Sequence, residues 1–150
     1  MRVDFQSEKL EQLLKKVPTF WEDSKIMRQL AAYGAFAIKE RTARGVDYQE
    51  KEFAPYSVAY EELRRKKGRA VDKVNLLFKG KMLGAITTDA RKGEGTIFFS
   101  SATESDKAYR HVAGLGNLPK REFFRLSRKD ANFITDTLNK HIDTELEKNT

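Results

Sequence analysis

The chain has 150 residues, the ordinary size of one domain, so we expect residues 1 to 150 to form a single hydrophobic core. It is 39% hydrophobic and 34% charged and has no cysteine, which predicts a folded chain and excludes disulfides, thiolate nucleophiles and cysteine-based metal sites. The net charge of +7 favours anionic partners, such as nucleic acid or acidic protein surfaces.

The first third of the chain predicts two helices, at residues 7 to 18 and from residue 23 or 24 to residue 44. In both segments apolar residues recur at spacings of three and four, which gives each helix one apolar face. Ser7 is a suitable N-cap for the first helix, and Gly45 ends the second. Three small residues in the second helix, Ala31, Gly34 and Ala35, would let another element approach its backbone closely.

A long charged loop is predicted from about residue 45 to residue 73, with a helical turn between Ser57 and Arg65. Loops of this length inside a domain are usually functional or disordered, and we expect this one to be mobile in the free subunit. Aromatic residues alternate with charged ones along it. It also contains a basic cluster, which consists of Arg64, Arg65, Lys66, Lys67 and Arg69.

The second half predicts a β-hairpin and a C-terminal helix. Apolar and polar residues alternate from residue 86 to residue 91, a turn follows at residues 92 to 95, and a second strand returns to residue 100. Ser127 and Asp130 form a capping-box pattern that begins an amphipathic helix. The fold class is therefore predicted as α+β, with N-terminal helices and a C-terminal helix packed on a small antiparallel sheet.

No group of residues in the sequence predicts catalysis. His111 and His141 are far apart and neither belongs to a metal-binding pattern. The GxG at residues 114 to 116 has neither the preceding strand nor the third glycine of a phosphate-binding loop, and Ser100-Ser101 does not have the glycines of a nucleophile elbow. We therefore expect a binding or structural protein, with no enzymatic activity, no metal and no cofactor.

Three segments carry motifs in a recognisable order. They run from residue 45 to 57, from 77 to 86 and from 108 to 127, and they include Phe53-Ala54-Pro55-Tyr56, Gly80-Lys81-Met82-Leu83, Tyr109-Arg110-His111 and Arg121-Glu122-Phe123-Phe124. Together these motifs resemble the phage virion morphogenesis family, the Mu-like tail-completion proteins. The resemblance covers most of the chain from the end of the long helix to the last helix.

The resemblance implies a structural subunit of the phage head-to-tail joint: a tail-completion, neck or tail-terminator protein that assembles as a ring. We expect a homo-oligomer, of hexameric symmetry, whose partners are other neck and tail proteins and the DNA that passes through the channel. The chain would occupy the host cytoplasm during assembly and then the virion. The implied subunit-interface residues are Phe53, Tyr56, Tyr60, Tyr109, His111 and Arg121, and the basic cluster would face the DNA channel or an acidic neighbour.

Some motif residues also have physical interpretations of their own. Gly80 would permit a tight backbone between two short elements, and we group it with Leu83 as structural. Phe123 and Phe124 would wedge between the last helix and the sheet. Arg121 would pair with a carboxylate or with backbone carbonyls. One residue separates Tyr109 from His111, so that on a strand they would share a face. The residues predicted to be structural are Gly80, Leu83, Phe123 and Phe124.

An alternative function is nucleic-acid binding. The basic cluster would contact phosphates, and Tyr56 and Tyr60 would stack on bases. However, the sequence contains no recognisable recognition helix, RNP-like aromatic strand or zinc pattern. A membrane partner is not expected, because no run of residues approaches the ~20 apolar positions of a membrane span and the first residues do not have the pattern of a signal peptide.

Overall fold

The computed structural model describes residues 1–5, 25–91 and 93–148, and it confirms the α+β class. The helix predicted at residues 7 to 18 and the predicted start of the second helix lie outside the described residues. In chain order the elements are β1 (Arg2–Phe5), α1 (Lys25–Ala43), α2 (Val58–Lys66), α3 (Lys81–Gly84), β2 (Ile86–Arg91), β3 (Glu94–Phe99), α4 (Ala102–Ala113) and α5 (Arg128–Lys148).

The described strands form one antiparallel sheet in which β3 lies between β1 and β2. The predicted hairpin is confirmed, but its turn is shorter than predicted. Arg91 pairs with Glu94, so the loop has two residues, and Glu94 and Gly95 belong to β3. Strand β1 was not predicted; its Val3 pairs with Ile97 on the other side of β3.

Helix α1 lies on one face of the sheet and contacts β2, β3 and α5. A Cβ atom placed on Gly34 would be 2.7 Å from Cδ1 of Ile97 and 3.2 Å from Cδ2 of Leu126. Glycine in the middle of a helix costs about 1 kcal/mol relative to alanine, but a Cβ at this position would force the buried side chain of Ile97 to shift. The predicted close approach at Gly34 is thus confirmed.

Helix α5 begins with the predicted capping box. The N–H of Asp130 donates to Oγ of Ser127 at 3.0 Å, and the N–H of Ser127 donates to Oδ2 of Asp130 at 3.0 Å. The same carboxylate accepts a buried hydrogen bond from Nη1 of Arg41 at 2.6 Å, and Arg41 also donates to the carbonyl of Arg125. The apolar stripe of α5 packs against α1 in a cluster that includes Met27, Leu30, Ile134, Leu138 and Ile142.

The main core lies between the sheet and the irregular segments. Phe123 is 0% exposed and Phe124 is 5% exposed, and the rings of Phe124 and Phe99 are 4.7 Å apart. Leu83 is buried in the same core. Gly80 precedes α3 with φ of 74°, a left-handed conformation that glycine adopts at little cost.

The segment predicted as a long mobile loop is packed into the domain, and that prediction is corrected. Phe53 and Tyr56 are buried in the main core, and the N–H of Leu76 donates to the hydroxyl of Tyr56 at 3.0 Å. The predicted helical turn is the full helix α2, capped by Ser57, whose side chain accepts from the N–H of Tyr60. Tertiary contacts with apolar and aromatic residues therefore outweigh the polar composition of the segment.

Helix α4 was not predicted. Oγ of Ser101 accepts from the N–H of Glu104 at 3.4 Å, and the helix ends at Gly114 in a left-handed conformation. Tyr109 and His111 consequently lie on a helix, about 200° apart around its axis, rather than on one face of a strand. Tyr109 is 51% exposed, whereas His111 turns towards the interior.

Candidate functional site

The first and third motif segments line a cleft of about 290 Å³, which we call the aromatic cleft. Tyr56 and Tyr60 form one side of it, and the turn that follows α4 contributes Leu118 and Pro119 to its lining. A second cleft of about 270 Å³, the lysine cleft, shares Tyr60, Leu76 and His111 with the first. Its remaining lining includes Lys79, Lys81, Glu104 and Lys107.

Arg121 lines the aromatic cleft and is only 2% exposed. Its Nε and Nη2 donate to the carbonyl of Ala54 at 3.1 and 2.9 Å, and Nη2 also donates to the carbonyl of Pro55 at 3.0 Å. Its guanidinium carbon lies 5.3 Å from the centre of the Tyr56 ring. The predicted pairing of Arg121 with backbone carbonyls agrees with these hydrogen bonds, and burial lowers the pKa of this guanidinium.

Arg64 lies behind the aromatic wall of the cleft and is 1% exposed. Its guanidinium carbon is 4.8 Å from the centre of the Tyr56 ring and 5.8 Å from that of Tyr60. It donates to the carbonyls of Ala70 and Leu77 at 2.8 and 3.0 Å. Within the described residues neither Arg64 nor Arg121 has a carboxylate within salt-bridge distance, so both charges are stabilised by carbonyl dipoles and ring faces.

His111 separates the two clefts and is half-buried. Burial lowers the pKa of His111 to about 4, and the nearby charge of Arg121 contributes in the same direction. The imidazole is therefore neutral at physiological pH. Neither ring nitrogen makes a hydrogen bond in the described part of the chain, and Nδ1 is fully buried.

Most of the charged residues that line the lysine cleft are cationic. Its carboxylate, Glu104, accepts a hydrogen bond from Nζ of Lys107 at 3.0 Å. Lys79 and Lys81 border the same cavity, and their side chains are exposed. Together with the buried charges of Arg64 and Arg121, these residues give the joined clefts a positive potential.

Apolar side chains are exposed beside the aromatic cleft. Leu118, in its lining, is 36% exposed, and Leu115 in the same turn is 44% exposed. Val58 and Leu77 follow lining residues directly in the chain and are 76% and 44% exposed. Concentrations of exposed apolar residues beside a polar concavity are typical of sites that contact another protein.

The predicted subunit-interface residues are distributed unevenly. Phe53, Tyr56 and Arg121 are buried by contacts within their own chain, so the expectation that they form an exposed interface is corrected: their side chains support the cleft from inside. Tyr60 and His111 are half-buried in the cleft lining, where a ligand can reach them, and Tyr109 is exposed on the outer side of α4.

The predicted basic cluster divides into two parts. Arg64 points into the domain, so the expectation that it faces a DNA channel or an acidic partner is wrong. The other four are exposed at the end of α2 and just beyond it; they are Arg65, Lys66, Lys67 and Arg69.

Leu118 and Glu104 were not predicted as lining residues, although Glu104 stands three residues after Ser101 in a capping-box pattern. Among the described residues no group of His, Cys, Asp and Glu side chains is arranged to hold a metal ion. No helix in the described ranges has the length and hydropathy of a membrane span. Comparison of the chain with protein-family models, with curated proteins and with solved structures finds no match.

Proposed function

We propose that this chain is a structural, non-enzymatic subunit of the joint between a phage head and tail, where it assembles as a hexameric ring. The observation that carries the proposal is that the three motif segments line two clefts that share Tyr60, Leu76 and His111. The motifs were recognised by their order in the sequence, and Tyr56, Phe78 and His111, one from each segment, line the two clefts that adjoin. Segments that are distant in sequence and line adjoining clefts are expected when they serve one contact.

The chemistry of the cleft supports binding rather than catalysis. Arg121 is held by carbonyl oxygens, and no carboxylate in the described ranges accepts a hydrogen bond from His111 to orient it as a general base. The described residues around the cleft thus combine a fixed cation, ring faces and apolar side chains. Such a surface suits recognition of another protein.

Ring formation requires two different surfaces on each subunit, because the contacts between neighbours in a ring are heterologous. The cleft is one candidate. A second is the sheet face opposite α1, where Arg2, Asp89, Thr96 and Phe98 border a shallow concavity of about 500 Å³. This concavity shares no lining residue with the two clefts, as two separate contact surfaces would require.

Deletion of the gene from the phage that carries it tests the proposal. We expect lysates that contain filled heads and assembled tails that are not joined, and we expect a plasmid copy of the gene to restore joined particles. Electron microscopy of the purified particles should show an additional ring at the neck or tail end only when the protein is supplied. Normally joined, infectious particles in the deletion strain would contradict the proposal.

Nucleic-acid binding is the second candidate, because four basic side chains of the cluster are exposed together beside α2. Stacking of bases on Tyr56 is not available, since that ring is 9% exposed and covered by Arg64. The remaining contacts would be to phosphates and would weaken steeply with salt. Fluorescence anisotropy with single-stranded and duplex DNA, at low and physiological salt, would detect them; tight binding that survives physiological salt would favour this candidate over the joint.

A further inference from the structure

We propose that the aromatic cleft binds a carboxylate-bearing segment of a partner polypeptide, with the guanidinium of Arg121 as the group that holds the carboxylate. The binding chemistry belongs to the cleft itself and is tested on the isolated chain, whereas the proposed function is tested in the virion. Either can therefore fail alone.

The first observation is a buried cation with an unused donor. Nε and Nη2 of Arg121 donate to the carbonyls of Ala54 and Pro55. Its Nη1 makes no hydrogen bond with any described residue, and this atom is not fully buried. No described carboxylate lies within salt-bridge distance of this guanidinium. A buried charge is normally paired, and an incoming carboxylate would supply the missing partner.

The second observation is the absence of competing negative charge inside the aromatic cleft. None of the described residues that line it is acidic, and Arg64 adds a second positive charge behind the ring of Tyr56. His111 is held neutral there, because burial and Arg121 both lower its pKa. The positive potential of Arg121 thus reaches the cleft without being neutralised by the protein.

The third observation identifies the carrier of the carboxylate. Leu76, Leu118 and Pro119 give the cleft apolar contacts, and a volume of about 290 Å³ accommodates only a few side chains. Leu118 is exposed at its edge, and further apolar side chains are exposed nearby. An acidic side chain flanked by apolar residues matches this lining. A nucleic-acid backbone matches it less well, because phosphates are densely charged, whereas most side chains that line the aromatic cleft are apolar or aromatic.

Titration of the full-length chain with two probes of matched shape tests the charge requirement. The probes are 4-phenylbutyrate and its neutral amide, followed by the backbone amide signals in ¹H–¹⁵N NMR spectra. We expect the carboxylate to shift signals of Tyr60, His111 and Leu118 and to bind about ten-fold more tightly than the amide, as expected for a charge-assisted hydrogen bond. Equal affinities for the two probes would overturn the proposal.

A variant at the edge of the cleft keeps the test independent of folding. Arg121→Gln removes the charge but also removes the hydrogen bonds to the carbonyls, so it could destabilise the fold. Leu118→Glu is therefore the deciding variant, because it adds a negative charge at an exposed position of the lining. Leu115→Glu is the matched control, because Leu115 is exposed in the same turn and does not line the cleft. Leu118→Glu should weaken phenylbutyrate binding about ten-fold. Unchanged binding in Leu118→Glu, or equal loss in Leu115→Glu, would contradict the assigned position.

Two further probes separate the sources of the anion. A short peptide of alternating leucine and glutamate should bind more tightly than phenylbutyrate, because its backbone adds contacts, and its glutamine counterpart should bind weakly. Phenyl phosphate should bind no more tightly than phenylbutyrate. Preference for phenyl phosphate would point to a phosphate ligand, and a glutamate peptide no better than phenylbutyrate would point to a small carboxylate; each result would overturn the assignment to a polypeptide.

Discussion

Buried arginines hold several irregular parts of this molecule in place. Arg41 binds the carbonyl of Arg125, Arg64 binds those of Ala70 and Leu77, and Arg121 binds those of Ala54 and Pro55. A guanidinium offers five N–H donors in a rigid plane, so one side chain can satisfy carbonyls that no helix or sheet would satisfy. A lysine has a single ammonium group and would leave some of these carbonyls unpaired.

Asp130 is the residue on which the junction of α1 and α5 depends. Its carboxylate accepts from the N–H of Ser127 and from Arg41, and it is 6% exposed. We expect Asp130→Ala to lower the free energy of unfolding by about 3–5 kcal/mol, because it leaves the charge of Arg41 buried without its partner. Urea denaturation measures this change. Asp136→Ala, an exposed change on the same helix, should cost less than about 0.5 kcal/mol; equal losses in the two variants would contradict the assigned role.

His111 should make stability depend on pH. Its pKa is lowered from 6.5 to about 4 in the folded chain. Above pH 6.5 it is neutral in both states and has no effect; between 6.5 and about 4 only the unfolded chain takes up the proton, so the free energy of unfolding falls as pH decreases. Below about 4 both states are protonated and the loss stays constant.

Replacement of His111 by glutamine should remove this part of the pH dependence. Urea denaturation of wild type and His111→Gln at neutral pH and at about pH 5 would measure it. Other titrating groups act equally in both proteins, so the wild type should lose more stability on acidification. Parallel curves for wild type and His111→Gln would refute the prediction.

At the scale of elements, the hydroxyl of Tyr56 links α2 to the segment that precedes α3. It accepts the buried N–H of Leu76 at 3.0 Å. We expect Tyr56→Phe to cost about 1–3 kcal/mol, because the N–H stays buried without an acceptor, and to accelerate hydrogen exchange at Leu76. Tyr109→Phe, at a residue 51% exposed, should change neither quantity. Unchanged exchange at Leu76 would show that the hydroxyl does not hold this segment.

Elements in which apolar residues recur at a regular spacing were predictable from the sequence. The apolar spacing of α1 and α5 and the alternation in β2 identified these elements, because each buries one regular face. Helix α4 was missed because only Glu104 and Ala108 are buried along it, which leaves almost no apolar period, and its capping residues were the available signal. β1 has four residues and is too short to show alternation.

The candidate site was predictable only in part. The sequence identified Tyr60, His111 and Arg121, but it could not show that Arg64 differs from its basic neighbours. The burial of Arg64 depends on carbonyls at Ala70 and Leu77, whose positions are set by the tertiary fold. A run of charged residues is normally predicted to be a solvated surface. Only the packed structure distinguishes the buried Arg64 from its exposed neighbours.

At the scale of the whole molecule, the exposed members of the basic cluster should serve assembly rather than folding. Replacement of all four by glutamine should leave the melting temperature nearly unchanged, because exposed substitutions typically alter stability by less than about 0.5 kcal/mol. Joining of heads to tails, measured as the yield of complete particles, should fall. Arg64→Gln provides the contrast and should lower the melting temperature. A wild-type yield of complete particles in the fourfold glutamine variant would contradict the prediction. The replaced residues are Arg65, Lys66, Lys67 and Arg69.

The turn after α4 has a consequence for the speed of binding. Gly114 has φ of 67°, and a Cβ there would be 3.0 Å from the backbone nitrogen of Lys120. The N–H of Arg121 donates to the carbonyl of His111 at 2.7 Å, so both residues occupy fixed positions before a ligand arrives. A partner that meets a preformed cleft does not wait for a segment to order, and the association rate would be set by diffusion, orientation and charge, at about 10⁵–10⁷ M⁻¹s⁻¹. Added salt would then slow the encounter far more than it would hasten release.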